Sequence, residues 1–177
     1  GNSPSILLAN NQIYTLHGEK FISVPMVIPS ESKIFAITSQ GVWYSTDQGS
    51  SLNFQPKDSK QPIHTYRFDS PVEEVMPIPS LGAMVMTSKD FALAGNEGIR
   101  FTIENRYRGC TPVGHYTPRN ELVLNCQDNA LHLLNAENGN EQQTISLIDP
   151  IRQAILTDDG IYASSSNAFW FYRPQTK

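Results

Sequence analysis

The chain has 177 residues, a net charge of −4 at pH 7 and only 17% charged residues, a balance that suits a loop-rich all-β protein better than a helical one. The length fits one domain with room for a core. The charge argues against a nucleic-acid binder, which presents a basic face, and no acidic or basic block points to a membrane surface.

No apolar run approaches the roughly 18 residues of a membrane-spanning helix, so direct membrane insertion of this segment is not expected. The opening residues carry no signal-peptide pattern, and Gly1-Asn2-Ser3 looks like a remnant of cloning. The chain is therefore expected to be a piece excised from a longer protein, from which a targeting segment or anchor has been trimmed.

Amphipathic helix periodicity is missing throughout, whereas alternation of apolar and polar residues bounded by Gly, Asn, Asp and Ser recurs along the whole chain. In chain order, five hairpins can be laid over one another: "SILLANNQIYTL", "IFAITSQGVWYS", "AMVMTSKDFALA", "LVLNCQDNALHL" and "IYASSSNAFWFY". Their turns centre near Asn11, Gln40, Lys89, Asp128 and Ser166, at spacings of 29, 49, 39 and 38 residues. A second turn follows each of the first four ("HGEK", "DQGS", "GNEG", "ENGN"), and then a third strand ("FISV", "LNF", "IRFTIE", "QQTISLI"). A leading strand precedes the last four hairpins: "PMVIP", "EEVMPIP", "CTPVGHY" and "RQAILT".

The repeating unit is thus a four-stranded meander of about 40 residues, the pattern of a β-propeller blade. Such a sheet cannot bury both faces alone and needs neighbours stacked on it. A β-sandwich also has short strands and frequent turns, but the alignment of five hairpins favours the propeller. The expected fold is all-β: a single domain over residues 1–177, built as a β-propeller of about four to five small blades or as an arc of a larger one. The repeats hold three, four, four, four and three strands, so the chain ends are expected to leave strand edges and an apolar sheet face without partners.

Between the second hairpin and the strand that follows it stands Ser45-Thr-Asp47-Gln-Gly49, preceded by "GVWY". This resembles the Asp-box of the BNR-repeat propellers, a family that includes sialidases, sortilin-type receptors and photosystem-assembly propellers. The resemblance implies that Ser45, Asp47 and Gly49 form a structural turn, the aspartate accepting backbone N–H groups and the glycine adopting a positive φ. The sequence departs from the family in having Leu52 where an aromatic is usual, and in carrying the box once. The fourth repeat looks more like a quinoprotein-type blade with an Asn-Gly turn.

Cys110 and Cys126 flank a predicted hairpin whose midpoint falls at Pro118. An odd loop centred there sets them opposite each other within disulfide reach. The alternatives are two unlinked buried thiols, or a register slip that places them on opposite faces. A disulfide implies an oxidising compartment, periplasmic or secreted. None of the 13 asparagines begins an Asn-x-Ser/Thr sequon, which leans towards a bacterial envelope.

No catalytic residues, cofactor-binding residues or metal ligands are expected. His17, His64, His115 and His132 are scattered without metal-ligand spacing, and neither Asp-rich turn has the acidic series of a calcium loop. The Arg-Ile-Pro motif of sialidases is absent, as are nucleophile elbows and phosphate loops. Two stretches are candidates for partner contact. "NRYRG" reads as a strand with Arg106 and Arg108 on one side and Tyr107 on the other. "FWFY" alternates Phe169 and Phe171 with Trp170 and Tyr172, and in the last repeat one of those faces has no blade to cover it.

The expected function is a non-catalytic module that presents loops to a protein or peptide partner, with self-association through the chain ends as one form of it. The alternatives are a sensory domain of an envelope-anchored signalling or secretion protein, and a glycan-binding or glycan-hydrolysing protein of the BNR type.

Overall fold

The computed structural model describes residues 5–7, 13–17, 19–24, 26, 28–46, 49–60, 62–95 and 98–173. Among these, 18 strands form five sheets, and in each the strand order follows the chain. The first holds β1 (Ser5–Leu7), β2 (Ile13–His17) and β3 (Lys20–Ser23). The second holds β4 (Lys33–Ile37), β5 (Gly41–Thr46), β6 (Ser51–Pro56) and β7 (His64–Arg67). The third runs from β8 (Val72–Ile78) through β9 (Gly82–Thr87) and β10 (Phe91–Gly95) to β11 (Gly98–Thr102). The fourth comprises β12 (Thr111–Tyr116), β13 (Glu121–Asn125), β14 (Ala130–Asn135) and β15 (Glu141–Ser146). The last has β16 (Gln153–Thr157), β17 (Gly160–Ser164) and β18 (Phe169–Tyr172).

The predicted grouping into three, four, four, four and three strands holds in number, but the second sheet is composed differently. Met26 and Ile28 of "PMVIP" are not in a strand; both are buried, and they pack with Ile13, Val42 and Tyr44. The fourth strand of that sheet is β7 on the opposite edge, paired with β6 from Ser51↔Arg67 to Phe54↔His64. Flanking prolines explain the loss: Pro25 and Pro29 remove backbone donors from a five-residue run. β7 is secured instead by an aromatic row, since Trp43 lies opposite Phe54 with ring centroids 4.7 Å apart and stacks on Tyr66 at 5.9 Å.

A turn built around one hydroxyl recurs. Thr38 Oγ1 accepts from the N–H groups of Gln40 and Gly41, Thr87 Oγ1 from Lys89 and Asp90, and Ser165 Oγ from Asn167 and Ala168. In each case the same residue closes the turn through its backbone, as in Thr87 N–H to Asp90 O at 2.9 Å. A short hydroxyl side chain thus satisfies two N–H groups that the hairpin leaves over. The fourth hairpin departs from this. Cys126 stands at the equivalent position, and the turn is one residue longer, closed by Cys126 N–H to Ala130 O at 3.2 Å.

The chain divides into two compact units: Gly1–Pro77 with Val85–Asp90 and Asn96–Gly98, and Ile78–Met84 with Phe91–Gly95 and Ile99–Lys177. In the first, Ile13, Met26, Ile28, Val42 and Tyr44 form a core. In the second, Tyr116, Val123, Leu131 and Leu133 of the fourth sheet pack against Ile161 and Ala163 of the last, with Trp170 and Tyr172 joining from β18. The middle strands β5, β10, β13 and β14 are buried along almost their whole length, so both faces of their sheets are covered.

Candidate functional site

Cys110 and Cys126 are joined in a disulfide, with their α-carbons 4.3 Å apart. The register that achieves this differs from a hairpin centred on Pro118. The turn is Thr117–Asn120, and next to it Tyr116 pairs with Glu121 and Gly114 with Val123. Continued unchanged, that register would set Cys110 opposite Gln127. A β-bulge between Pro112 and Gly114 inserts one residue, so that Thr111 pairs with Asn125 and the two cysteines come into line.

A second bulge assembles a polar cluster in the same sheet. His132 in β14 pairs with Thr144, Leu133 with Gln143, and then Leu134 with Glu141, leaving Gln142 as the extra residue. Thr144 and Glu141, three apart, therefore share the face that His132 occupies. Glu141 accepts hydrogen bonds from the Tyr107 hydroxyl, from Thr144 Oγ1 at 2.8 Å, and from His132 Nδ1, which lies 2.9 Å from Oε2. The opposite ring nitrogen of His132, Nε2, lies 2.9 Å from Asp128 Oδ2. Tyr107 meets the His132 ring edge-on, with centroids 5.2 Å apart.

The electrostatics follow from this wiring. The hydrogen bond from Tyr107, with those from His132 and Thr144 and the charge of Arg106, holds the Glu141 carboxyl at about 2, against burial, which pushes it up. Burial, then the bond to Glu141, pushes the Tyr107 hydroxyl well above the ordinary tyrosine range. These acid–base groups are engaged with one another.

The candidate partner residues fall into two situations. Arg106 and Arg108 are not on a strand: Asn105–Tyr107 form a 3-10 turn, in which Tyr107 is buried, 1% exposed, while Arg106 is exposed and Arg108 half-buried. Arg106 is paired with Glu104 at 3.1 Å, stands 3.8 Å from Glu141 and covers the Tyr107 ring. The aromatic run is a strand as expected. Trp170 and Tyr172 pack into the core of their unit, and the Tyr172 hydroxyl donates to Gln143 Oε1 at 2.6 Å. Phe169 and Phe171 face outward, 69% and 45% exposed. Tyr162 lies directly across from Phe171 and Ile155 across from Tyr162, so these side chains form one apolar stripe over three strands. The Tyr162 ring packs at a tilt against Phe171 at 4.5 Å and against Phe169 at 5.9 Å between centroids, and the Arg173 guanidinium stands over Phe171.

Of the Asp-box residues, Asp47 lies outside the described residues. Ser45 is buried opposite Leu52, and Thr46 and Ser51 close the loop with their hydroxyls 3.1 Å apart. Gly49 is buried with φ +96°, and a Cβ there would stand 3.3 Å from Pro71. Leu52, in the place of the usual aromatic, is fully buried. Beside this turn is a cavity of about 160 Å³ lined by Glu31, Lys33, Ser45, Thr46, Gly49, Pro71 and Val72. It is well below the roughly 300 Å³ at which small-molecule sites begin.

The polar cluster is hidden from the sequence because the bulge at Gln142 breaks the alternation on which face assignments rest. One signal is present: His132 interrupts an otherwise apolar run, "ALHLLN", and a polar residue inside a fully buried strand must have partners.

No family model matches the sequence, and no curated protein matches it. Solved structures do. The β-propeller domain of Cps50 (Swd1) from Myceliophteria thermophila matches with a TM-score of 0.62 at 8% identity, over 98% of this chain and 67% of that one. The WD40 β-propeller domain of Doa1 matches with a TM-score of 0.55 at 13% identity, over 94% of this chain and 58% of that one. BBS1N, solved in complex with ARL6, matches with a TM-score of 0.52 at 15% identity, over 96% of this chain and 57% of that one. The chain thus spans 57% to 67% of the length of these structures. At such identities the likeness speaks to architecture, and with the repeated meanders it shows a β-propeller fold, to which the five small sheets fit as four to five blades.

Proposed function

We propose that the chain is a non-catalytic propeller module that binds a protein or peptide partner through the outer face of its last sheet, in an extracytoplasmic compartment. One observation carries this reading: the Ile155–Tyr162–Phe171 stripe with Phe169 is a contiguous apolar surface turned to solvent, on a sheet whose other face packs into a core. Burying such a surface contributes on the order of 25 cal/mol per Å², and aromatics of this kind are the usual anchors of protein interfaces. The disulfide supports an oxidising compartment. Tyr107, Glu141 and His132 are hydrogen-bonded to one another, and the reading assigns them a structural role. Within the propellers, the buried Gly49 turn supports reading Ser45-x-Asp47-x-Gly49 as an Asp-box and therefore as scaffold. BBS1N engaging ARL6 is a case of this architecture serving a protein contact in another molecule.

The test is a paired substitution, Phe169→Ser with Phe171→Ser. Neither side chain is in the core, so the β-sheet circular dichroism and melting temperature should be retained. A protein that co-purifies with the native chain should be lost. A partner that stays bound to the double variant, or binding on a glycan array that the variant retains, would sink the reading.

A further inference from the structure

The geometry points to a zinc site that the disulfide conceals: in the reduced chain, Cys110, Cys126, Asp128 and His132 bind one divalent zinc ion. In the fourth hairpin a cysteine replaces the hydroxyl that organises the other turns, and the added residue lets Asp128 curl back towards it. As a result Cys126 Sγ, an Asp128 carboxylate oxygen and a His132 ring nitrogen lie within 4.8 Å of one another, the only such grouping of three among the described residues. Cys110 Sγ is held beside them by its bond to Cys126. Tetrahedral zinc places its ligand atoms roughly 3.3 to 3.8 Å apart, so small side-chain movements close the set around an ion.

The surroundings of His132 strengthen the assignment. Zinc-binding histidines almost always direct their second nitrogen to a carboxylate, which fixes the ring and leaves the first nitrogen's lone pair for the metal. Here Glu141 holds Nδ1 at 2.9 Å, Thr144 stands 3.3 Å from the same nitrogen, and Nε2 faces Asp128. The supporting shell is therefore in place before any metal arrives. The Asp128 side chain is 57% exposed and Cys126 is partly so, which gives both a reductant and an ion a way in.

The chemistry balances with a dithiol as reductant. Thiolate attack on the bridge breaks the S–S bond, two electrons and two protons pass to the chain, and the dithiol leaves as its own disulfide. Zinc then displaces the two thiol protons to solvent and takes two thiolates, one carboxylate and one neutral imidazole. The same two strand ends are thus linked covalently when oxidised and through the metal when reduced. This inference is independent of the partner-binding reading.

Cobalt(II) is the probe, because thiolate-to-cobalt charge transfer and intense d–d bands report tetrahedral sulfur ligation. The intact chain is reduced with a phosphine, which takes its oxygen from water and does not compete for the metal. The reduced chain should develop both bands, saturating at one ion per chain, and the oxidised chain should show neither. His132→Gln and Asp128→Asn should each weaken binding at least about tenfold, and Glu141→Gln about 10- to 100-fold through the ring it orients. Zinc should raise the melting temperature of the reduced chain and leave that of the oxidised chain unchanged. Bands that survive His132→Gln unaltered would show an adventitious thiolate complex and overturn the site. So would a reduced chain that unfolds and that zinc does not refold, or one that binds cobalt no better than the double variant Cys110→Ser, Cys126→Ser.

Discussion

At Glu141 one carboxylate receives Tyr107, Thr144 and His132, with Arg106 close by, and its acidity is the sum of those contacts. The linkage has a definite sign. A carboxyl held at about 2 when folded, against 4.5 as its ordinary value, contributes stability that is present above about pH 4.5 and is lost as pH falls through about 2. Glu141→Gln should therefore cost about 2 to 3 kcal/mol at neutral pH, and denaturant titrations across the acid range should show native and variant stabilities converging as pH falls. A constant gap from pH 7 to pH 2 would mean that the carboxylate's charge is not what Tyr107 and His132 stabilise. Gly49 is the second residue at which local chemistry decides the outcome. Its φ is +96°, and an added Cβ would stand 3.3 Å from Pro71. Gly49→Ala should therefore destabilise by about 1 to 2 kcal/mol, measured by urea denaturation, while leaving partner binding by the folded fraction intact.

Turns and bulges determine the individual sheets. Thr87 is fully buried and accepts from two N–H groups, at 2.8 and 3.2 Å. Thr87→Val keeps the shape and removes the acceptor, so a loss of about 1 to 3 kcal/mol is expected in thermal or chemical denaturation; an unchanged midpoint would show that the hydroxyl turn is incidental. The disulfide closes a loop with a sequence separation of 16, and removing it should cost about 3 kcal/mol. Denatured, unreduced protein should titrate with no free thiol. The hairpins themselves were legible, because period-2 alternation and polar turns are local signals: Gln40, Lys89, Asp128 and Ser166 all fall in turns between paired strands. The cysteine pairing was legible for an incomplete reason. Symmetry about Pro118 held only because the bulge at Val113 offsets a turn centred one half-residue further on, with Gly114 at φ +153° beside it. The Tyr107–Glu141–His132 cluster was not legible, since a bulge at Gln142 brings Glu141 to a face that alternation does not predict, and Tyr107 reaches it from a 3-10 turn outside the strands.

At the scale of the whole molecule, the repeat pattern accounts for the architecture, and the exposed outer face of the last repeat carries the proposed function. A second copy of the chain is one partner that would satisfy the stripe. If it does, sedimentation should show concentration-dependent dimers that Phe171→Ser converts to monomers with unchanged circular dichroism. A different protein would leave the isolated chain monomeric and still cover the same side chains, which is why the surface itself has to be interrogated where the chain normally works. The most direct measurement places a photo-crosslinking phenylalanine analogue at position 171, and separately at the exposed Glu137 as a control, in cells of the native host. The account predicts a discrete protein adduct from position 171, whether to a second copy or to another polypeptide, and none from position 137. Adducts from position 137 alone, or no protein adduct from position 171, would contradict it.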